Sequence, residues 1–143
     1  MYENYTRQAL PTKEYRELLG SAIFVFNSNN AFILENILNH DDDKKYSWYD
    51  YISQTSGKLL EPIKNTITKN SNTEISNKFQ DVIEKRNRII HSFAVTKEGT
   101  KSEPILRTKD KNHNQYNITE EYLLEFIKLN EELSSMLHDF RGY

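Results

Sequence analysis

Apolar side chains recur at steps of three and four residues over most of this chain, and that spacing predicts amphipathic helices. The first helix is predicted over about residues 13–39 and the second over about 47–67. A third helix, the most regular of the set, is predicted over about 74–93. A fourth begins after residue 119. Four such helices in 143 residues favour a bundle whose apolar faces meet in one core.

Capping residues and helix breakers indicate where these helices begin and where they weaken. Thr12 and Thr119 are the expected N-caps, because a threonine hydroxyl can accept from the unpaired N–H groups of a first turn. Gly57 and Pro62 should weaken, bend or split the second helix. The polar run at residues 27–30 is a poor helix former, so it favours a kink in the first helix.

Helical periodicity disappears at about residues 95–117, between the third and fourth helices. Two turn-like tripeptides, at residues 98–100 and 110–112, bracket a short stretch that suits an extended strand. We therefore predict an exposed β-hairpin or loop insertion there. The expected fold class is all-α: one domain over residues 1–143, an antiparallel four-helix bundle with this insertion before its last helix.

Composition excludes several kinds of chemistry. The 143 residues include no cysteine, which excludes disulfides, thiol catalysis and cysteine-ligated zinc. No stretch approaches the roughly 18 apolar residues of a membrane span, and the first residues do not follow the pattern of a secretory signal. We therefore expect a cytoplasmic protein that does not insert into a membrane.

Charge is distributed unevenly along the chain. Residues 72–111 hold nine Lys and Arg against six Asp and Glu, a net of +3. Since the whole chain carries −2, the remainder carries −5. This asymmetry permits a phosphate-binding face, although a solvated surface explains it as well.

Arg86 interrupts the apolar stripe of the third predicted helix. A buried arginine needs a partner, so either its guanidinium reaches solvent at the bundle edge or it pairs internally with a carboxylate such as Glu35. His91 lies five residues on, roughly 140° around a helix. One helix would aim the two side chains apart, whereas two copies crossing about a two-fold axis would bring them into one cleft.

The six residues from Arg86 to His91 resemble the motif of the HEPN superfamily: an arginine, a polar residue that is often asparagine, three variable residues and a histidine. The resemblance extends to the predicted long first helix with its Leu19-Gly20 and Phe26-Asn27 pattern. It covers nearly the whole chain. One departure is Phe93, which stands where HEPN toxins regulated by antitoxin modification carry a tyrosine.

The resemblance implies a metal-independent endoribonuclease that works as a homodimer, in a toxin, phage-defence or abortive-infection role, without a cofactor. His91 would act as general base on the ribose 2′-OH or as general acid on the leaving 5′-oxygen. Arg86 would stabilise the negative charge of the transition state, and Asn87 would orient His91 or contact phosphate. The products would carry a 2′,3′-cyclic phosphate and a 5′-OH. An antitoxin or defence-system protein is a further expected partner.

Basic residues near the motif are candidates for binding the RNA backbone. Two lie beside Arg86 and Asn87 and three come from the insertion: Lys85, Arg88, Lys97, Lys101 and Lys109. Asn27 or Asn30 of the first helix is expected to reach the motif helix and help to fix Arg86.

Two other functions remain open for the same residues. The chain could be a non-catalytic HEPN-like module that binds RNA, a nucleotide or a protein, or a plain helical interaction domain in which the motif is a coincidence. The aromatic cluster Tyr46, Trp48, Tyr49 and Tyr51 could stack RNA bases, form a dimer contact or belong to the core. For residues 40–43, a solvated helix end is favoured over a metal site.

Overall fold

Helix α1 (Lys13–Asn39) forms the longest element of the computed structural model, which describes residues 1–96 and 103–142. The hydroxyl of Thr12 accepts a hydrogen bond from the backbone N–H of Tyr15 at 3.2 Å, so the predicted N-cap is confirmed. The helix continues through the polar run at residues 27–30, where no break occurs. Two asparagines of that run are buried, and tertiary contacts therefore outweigh their weak helix propensity.

The predicted second helix is instead a series of short helical elements. Helix α2 (Trp48–Tyr51) ends after one turn. After non-helical residues 52–55, a 3₁₀ turn (Ser56–Leu59), helix α3 (Leu60–Ile63) and a π-helical turn (Lys64–Thr68) follow one another without a gap. The break falls before Gly57, and Pro62 lies within the first turn of α3, where a missing N–H is tolerated.

Helix α4 (Glu74–Ile90) carries the motif and ends three residues before its predicted end. It buries Ile75, Phe79, Val82 and Ile89. The next residue, His91, is its C-cap, and the backbone N–H of His91 still donates to the carbonyl of Asn87 at 2.9 Å. From there the chain enters a strand directly.

Three strands form an antiparallel sheet in the order β1-β2-β3: β1 (Ser92–Thr96), β2 (Pro104–Lys109) and β3 (Gln115–Ile118). The turn between β2 and β3 is closed by the Asp110 carboxylate, which accepts from the N–H groups of Asn112 and Asn114 at 2.9 and 3.0 Å. Its hydrogen bonds to these N–H groups, Asn114 first, hold the pKa of Asp110 below its usual value.

The expected all-α four-helix bundle is therefore wrong: the described chain is mixed, with five helices and a three-stranded sheet. The predicted insertion at about residues 95–117 forms strands that begin earlier, at Ser92, and it is not wholly exposed, because Ile105 is buried in the core, as is Ile118 directly after it. The helical spacing that continues to Phe93 predicts a helix over the first residues of β1, and the hairpin or loop is predicted only from about residue 95. The strand state of β1 depends on pairing with β2, which single-helix periodicity does not report.

Helix α5 (Glu120–Arg141) runs parallel to α1, which also departs from the antiparallel arrangement expected. Contacts between the two helices join early residues to early ones and late residues to late ones: Phe26–Phe126 rings at 6.2 Å, Asn29–Asn130 at 2.8 Å and Glu35–Arg141 at 3.0 Å. Helix α4 runs antiparallel to α5, since Lys78 pairs with Glu132 and Lys85 with Glu125. The predicted N-cap Thr119 is confirmed by its bond from the N–H of Tyr122 at 3.1 Å.

The core lies between these helices and the sheet, which contributes Thr108 and Ile118 from one face and Ile105 from the other. Its fully buried large side chains are Phe79, Phe126, Ile33, Leu34, Ile37, Leu59, Ile63, Ile67, Ile118, Leu123, Leu133 and Leu137. Tyr15 links the helices to the sheet: its hydroxyl donates to the carbonyl of Ile118 at 2.6 Å and accepts from the N–H of Leu106 at 3.1 Å. No helix within the described ranges is both long enough and apolar enough to cross a membrane.

Candidate functional site

Arg86 is held in the last turns of α4 by an aromatic ring and by its neighbour in sequence. It follows Phe79 and Val82 on the buried stripe of the helix, but its own side chain is only half-buried. The guanidinium carbon lies 5.4 Å from the centroid of the Phe26 ring, and Nη1 donates to Asn87 Oδ1 at 3.2 Å. A cation over an aromatic face keeps its charge while its stem is packed.

The suggested ion pair between Arg86 and Glu35 does not form. The Glu35 carboxylate pairs with Arg141 at the other end of α1, at 3.0 Å. Within the described residues, no carboxylate forms a salt bridge with Arg86. No acidic side chain of the described part of the chain therefore neutralises its positive charge.

His91 stands where α4 gives way to β1, and its side chain is exposed. The hydroxyl of Ser92 donates to the carbonyl of Ile89 at 2.5 Å, which closes the helix end beside it. None of the described residues forms a hydrogen bond with the His91 ring. Both ring nitrogens can therefore donate to or accept from a bound molecule.

Arg86 and His91 do not contact each other within one chain. They are separated by roughly 140° around the helix axis, and the guanidinium is directed to Phe26 while the imidazole faces solvent. Ile90 lies between them in angle, and 46% of it is exposed. A cleft that uses both polar groups therefore needs a second copy of α4 or a substrate that bridges them.

Lys85, which precedes the motif, and Arg88, which lies within it, have intramolecular partners. Lys85 Nζ lies 4.7 Å from the centroid of the Tyr122 ring and 3.8 Å from Glu125 Oε1. Burial raises the pKa of the Tyr122 phenol, so that the ring beside Lys85 stays neutral. Arg88 donates through Nη1 to the carbonyl of Lys109, and its Nε lies 3.6 Å from Glu84 Oε1.

The bond from Arg88 to Lys109 joins the end of β2 to the last turns of α4. Lys109 itself is exposed, with Nζ at 3.5 Å from His113 Nδ1. Of the candidates from the insertion, Lys109 is thus placed near the motif. Lys97 and Lys101 lie outside the described residues.

The asparagines expected to support Arg86 are placed differently. Asn27 is exposed on α1. Asn30 is buried, and its Oδ1 accepts from the hydroxyl of Ser56 at 2.8 Å. Neither forms a hydrogen bond with Arg86 within the described ranges. Asn87, which the sequence placed in the site, makes that contact instead.

The other clusters singled out in the sequence have local roles. The Asp41 carboxylate accepts from the N–H groups of Lys45 and Tyr46, and His40 Nδ1 lies 3.1 Å from the carbonyl of Asn36. Over residues 1–96 and 103–142, no group of three or more His, Asp or Glu side chains is arranged to hold a metal ion. In the aromatic cluster, Tyr46 and Tyr51 pack edge to face at 5.7 Å while Tyr49 is exposed.

Sequence reasoning missed a row of side chains across the sheet beside the motif. The register places Phe93 opposite Arg107, and Arg107 opposite Asn117. Arg107 Nε donates to Asn117 Oδ1 at 2.9 Å. The stretch around Pro104–Lys109 was visible as extended chain, but the residues it pairs with in β1 and β3 depend on a register that the sequence does not report.

Comparison of the chain with protein-family models, with curated proteins and with solved structures found no match. The resemblance of residues 86–91 to the HEPN motif therefore rests on those residues alone.

Proposed function

We propose that this protein is a HEPN-type endoribonuclease that cleaves RNA without metal and acts as a homodimer. The observation that carries the proposal is the state of the two motif side chains. Arg86 is fixed by Phe26 and Asn87 with no carboxylate among its described partners, and His91 is exposed with no bond to its ring from the described residues. Phosphodiester transfer needs an oriented cation and an open imidazole, which the dimer described below would bring together.

The reaction follows from the chemistry of these groups. The His91 imidazole of one protomer takes the proton of a ribose 2′-OH, and the 2′-oxygen attacks the adjacent phosphorus. The bond from phosphorus to the 5′-oxygen breaks, and the imidazolium of the second protomer gives that oxygen a proton. Arg86 neutralises the added charge on the phosphoryl oxygens. The products are a 2′,3′-cyclic phosphate and a 5′-OH.

Asn87 would position both motif residues, one through its side chain and the other through its main chain. Its side-chain oxygen accepts from Arg86 Nη1, and its main-chain carbonyl accepts from the N–H of His91. Through these bonds one residue fixes the cation and the residue that bears the imidazole. A contact between the Asn87 amide and phosphate is compatible with this role.

The dimer would form where two α4 helices cross near their C-terminal ends. Ile90 is exposed in the last turn and lies between Arg86 and His91 in angle. An exposed isoleucine there suits an isologous contact, because the same side chain meets its own copy across a two-fold axis. Such a crossing would bring the two histidines and two arginines together.

A nuclease that needs only its own side chains must be restrained in the cell. We therefore extend the proposal to a toxin, phage-defence or abortive-infection role with an antitoxin or trigger protein as partner. Modification of a tyrosine two residues after His91 is not part of it, since Phe93 stands there.

The test is cleavage of a mixed-sequence RNA in excess EDTA by wild type, His91→Ala and Arg86→Ala. We expect wild type to cut and both variants to lose at least about 100-fold in rate. His113→Ala is the matched control, since His113 is an exposed histidine in the β2–β3 turn, and it should cut like wild type. Equal cleavage by His91→Ala and wild type would contradict the proposal.

A non-catalytic RNA- or protein-binding module is the second candidate. It is favoured by the intramolecular partners of Lys85 and Arg88, because cations already engaged by Glu125, Glu84 and the Lys109 carbonyl are less available to a substrate. Retained RNA binding with no cleavage in any RNA tested would support this function over the nuclease.

A further inference from the structure

One face of the sheet, beside the end of α4, carries an aromatic side chain next to cations. Directly paired residues of an antiparallel sheet project to the same face. Phe93, Arg107 and Asn117 therefore form one row across the three strands. Lys109 and Gln115, also paired, form the next row on that face, two residues farther along. We name these five residues the Phe93 face.

The opposite face of the sheet packs on the core. Thr108 and Ile118 are fully buried there, and Leu106 packs against the core beside them. Side chains alternate between faces along a strand, so Arg107 and Lys109 project away from Thr108 and Ile118. Ile105, which precedes them on their own face, is buried and its partner Val95 packs against the core, so only the rows of Arg107 and Lys109 are open. The Phe93 face is thus the side of the sheet that a ligand can approach at these two rows.

The exposure of Phe93 is the unusual feature of this face. The ring is 45% exposed, although it sits in the first part of a paired strand. Beside it, Arg107 uses Nε to hold Asn117 at 2.9 Å, while its terminal nitrogens have no hydrogen-bond partner among the described residues. A half-exposed ring next to an oriented guanidinium is suited to a flat base with a phosphate attached.

The charge of the Phe93 face fits a polyanion. Its two rows hold Arg107 and Lys109 and no carboxylate. The face also adjoins the motif: Arg88 donates to the Lys109 carbonyl, and Lys109 is one residue past Thr108, the partner of Ser92. Lys109 therefore directly follows the Ser92–Thr108 pair, at the place where β1 leaves α4.

We propose that the Phe93 face binds single-stranded RNA and leads it to His91. Phe93 stacks on an unpaired base, and Arg107 and Lys109 contact the phosphates on either side of it. Asn117 and Gln115 present amides to base edges. The choice of RNA over another single-stranded nucleic acid as the ligand rests on the proposed function. A base-paired duplex is not bound in this way, because its bases offer no free face to Phe93.

The experiment measures binding separately from cleavage. A fluorescently labelled single-stranded RNA is titrated with full-length His91→Ala protein at fixed salt, and the dissociation constant is read by anisotropy. In this background, Phe93→Ala should weaken binding by about tenfold and Phe93→Trp should restore it, since stacking needs an aromatic face. Phe24→Ala is the matched control, because Phe24 is 74% exposed on α1, and it should bind as the parent does.

Arg107→Gln gives a second readout. It should weaken binding and reduce the dependence of log Kd on log salt by about one ion, which a loss of folding alone does not do. An RNA with one abasic position should remove the difference between Phe93 and Phe93→Ala, and the duplex form should bind more weakly than the single strand. Unchanged affinity in both Phe93→Ala and Arg107→Gln would overturn the Phe93 face.

The two proposals can fail separately. Binding that depends on Phe93 in a protein that never cleaves RNA would uphold the face and refute the nuclease. Cleavage in EDTA that needs His91 but is unaffected by Phe93→Ala would uphold the nuclease and refute the face.

Discussion

The interface between α1 and α5 and the junction between α4 and β1 differ in which side chains they bury and which they expose to solvent. In the α1–α5 pair, Asn29 Nδ2 donates to both oxygens of Asn130 at 2.8 and 3.1 Å, and Asn130 Nδ2 donates to the Phe126 carbonyl at 3.0 Å. At the junction, His91 is exposed, and Ile90 and Phe93 are each nearly half exposed. Polar groups are buried with partners in one region, and apolar groups are exposed in the other.

This difference separates residues that stabilise the fold from residues available to a ligand. A buried asparagine must keep its hydrogen bonds, since a lost partner leaves a desolvated amide or carbonyl. An exposed imidazole and exposed apolar side chains gain little from folding, and a group of them marks a contact surface. Substitutions in the two regions should therefore move different observables.

The largest effect is expected from His91→Ala. RNA cleavage in EDTA should fall by about 10²- to 10⁴-fold, because the proton acceptor is lost. The unfolding free energy should change by less than about 0.5 kcal/mol, since the side chain is exposed. Urea denaturation and a cleavage time course measured on the same preparation check both. A large loss of stability would instead show that His91 stabilises the fold, as the buried asparagines between α1 and α5 do, and would contradict the difference between the two regions.

Asn130→Ala should have the converse result. Asn130 is 1% exposed, and alanine deletes the two buried hydrogen bonds of its side chain, from Asn29 Nδ2 and to the Phe126 carbonyl, at a loss of about 2 kcal/mol in stability. The bond from Asn29 Nδ2 to the main-chain carbonyl of residue 130 remains. Cleavage per folded molecule should stay near the wild-type rate. Asn27→Ala is the matched control, an exposed asparagine of α1 that should unfold like wild type. If Asn27→Ala instead lowered activity alone, the support role expected for Asn27 from the sequence would be restored.

Arg86→Lys should move both observables, because Arg86 belongs to both regions. The ammonium cannot reproduce the bond to Asn87 together with the flat contact over Phe26, so stability should fall by about 1 kcal/mol. Cleavage should fall at least tenfold, since the bidentate contact to phosphate is lost. The measurements are again denaturant unfolding and initial rates. Wild-type cleavage with reduced stability would assign Arg86 to packing alone.

Alkaline pH should lower the unfolding free energy of the protein through the buried phenol of Tyr15. Burial raises the pKa of the Tyr15 phenol above its ordinary value near 10, so the folded state keeps it neutral while the unfolded state ionises. Its contribution is present below pH 10 and is lost as the pH rises further. Tyr15→Phe should be less stable at pH 8, and its stability should fall less steeply between pH 9.5 and 11, by urea denaturation. Equal slopes would contradict this assignment.

Local signals in the sequence predicted local structure well. Thr12 and Thr119 act as N-caps because a cap needs only a hydroxyl and the next three residues. The bounds of α1 followed from its stripe for the same reason. The predicted end of α4 is three residues too late, because Phe93 continues the helical spacing. Phe93 is instead part of β1, since this segment pairs with β2.

Long-range features could not be predicted. The parallel course of α1 and α5 depends on contacts such as Asn29 with Asn130, which are about a hundred positions apart. The motif itself was visible, and so was the need for Arg86 to have a partner. That this partner is the Phe26 ring rather than Glu35 depends on how α1 and α4 pack, which no spacing within one helix determines.

The end groups that the wild-type protein leaves on cleaved RNA are the most direct test of cleavage through attack of the ribose 2′-OH. The substrate is a short RNA, compared with the same sequence bearing a single 2′-deoxyribose at the preferred linkage, in excess EDTA, with products weighed by mass spectrometry. We predict a 2′,3′-cyclic phosphate and a 5′-OH from the RNA, and no cleavage at the deoxy linkage. Cleavage at that linkage, or products with a 5′-phosphate, would contradict it.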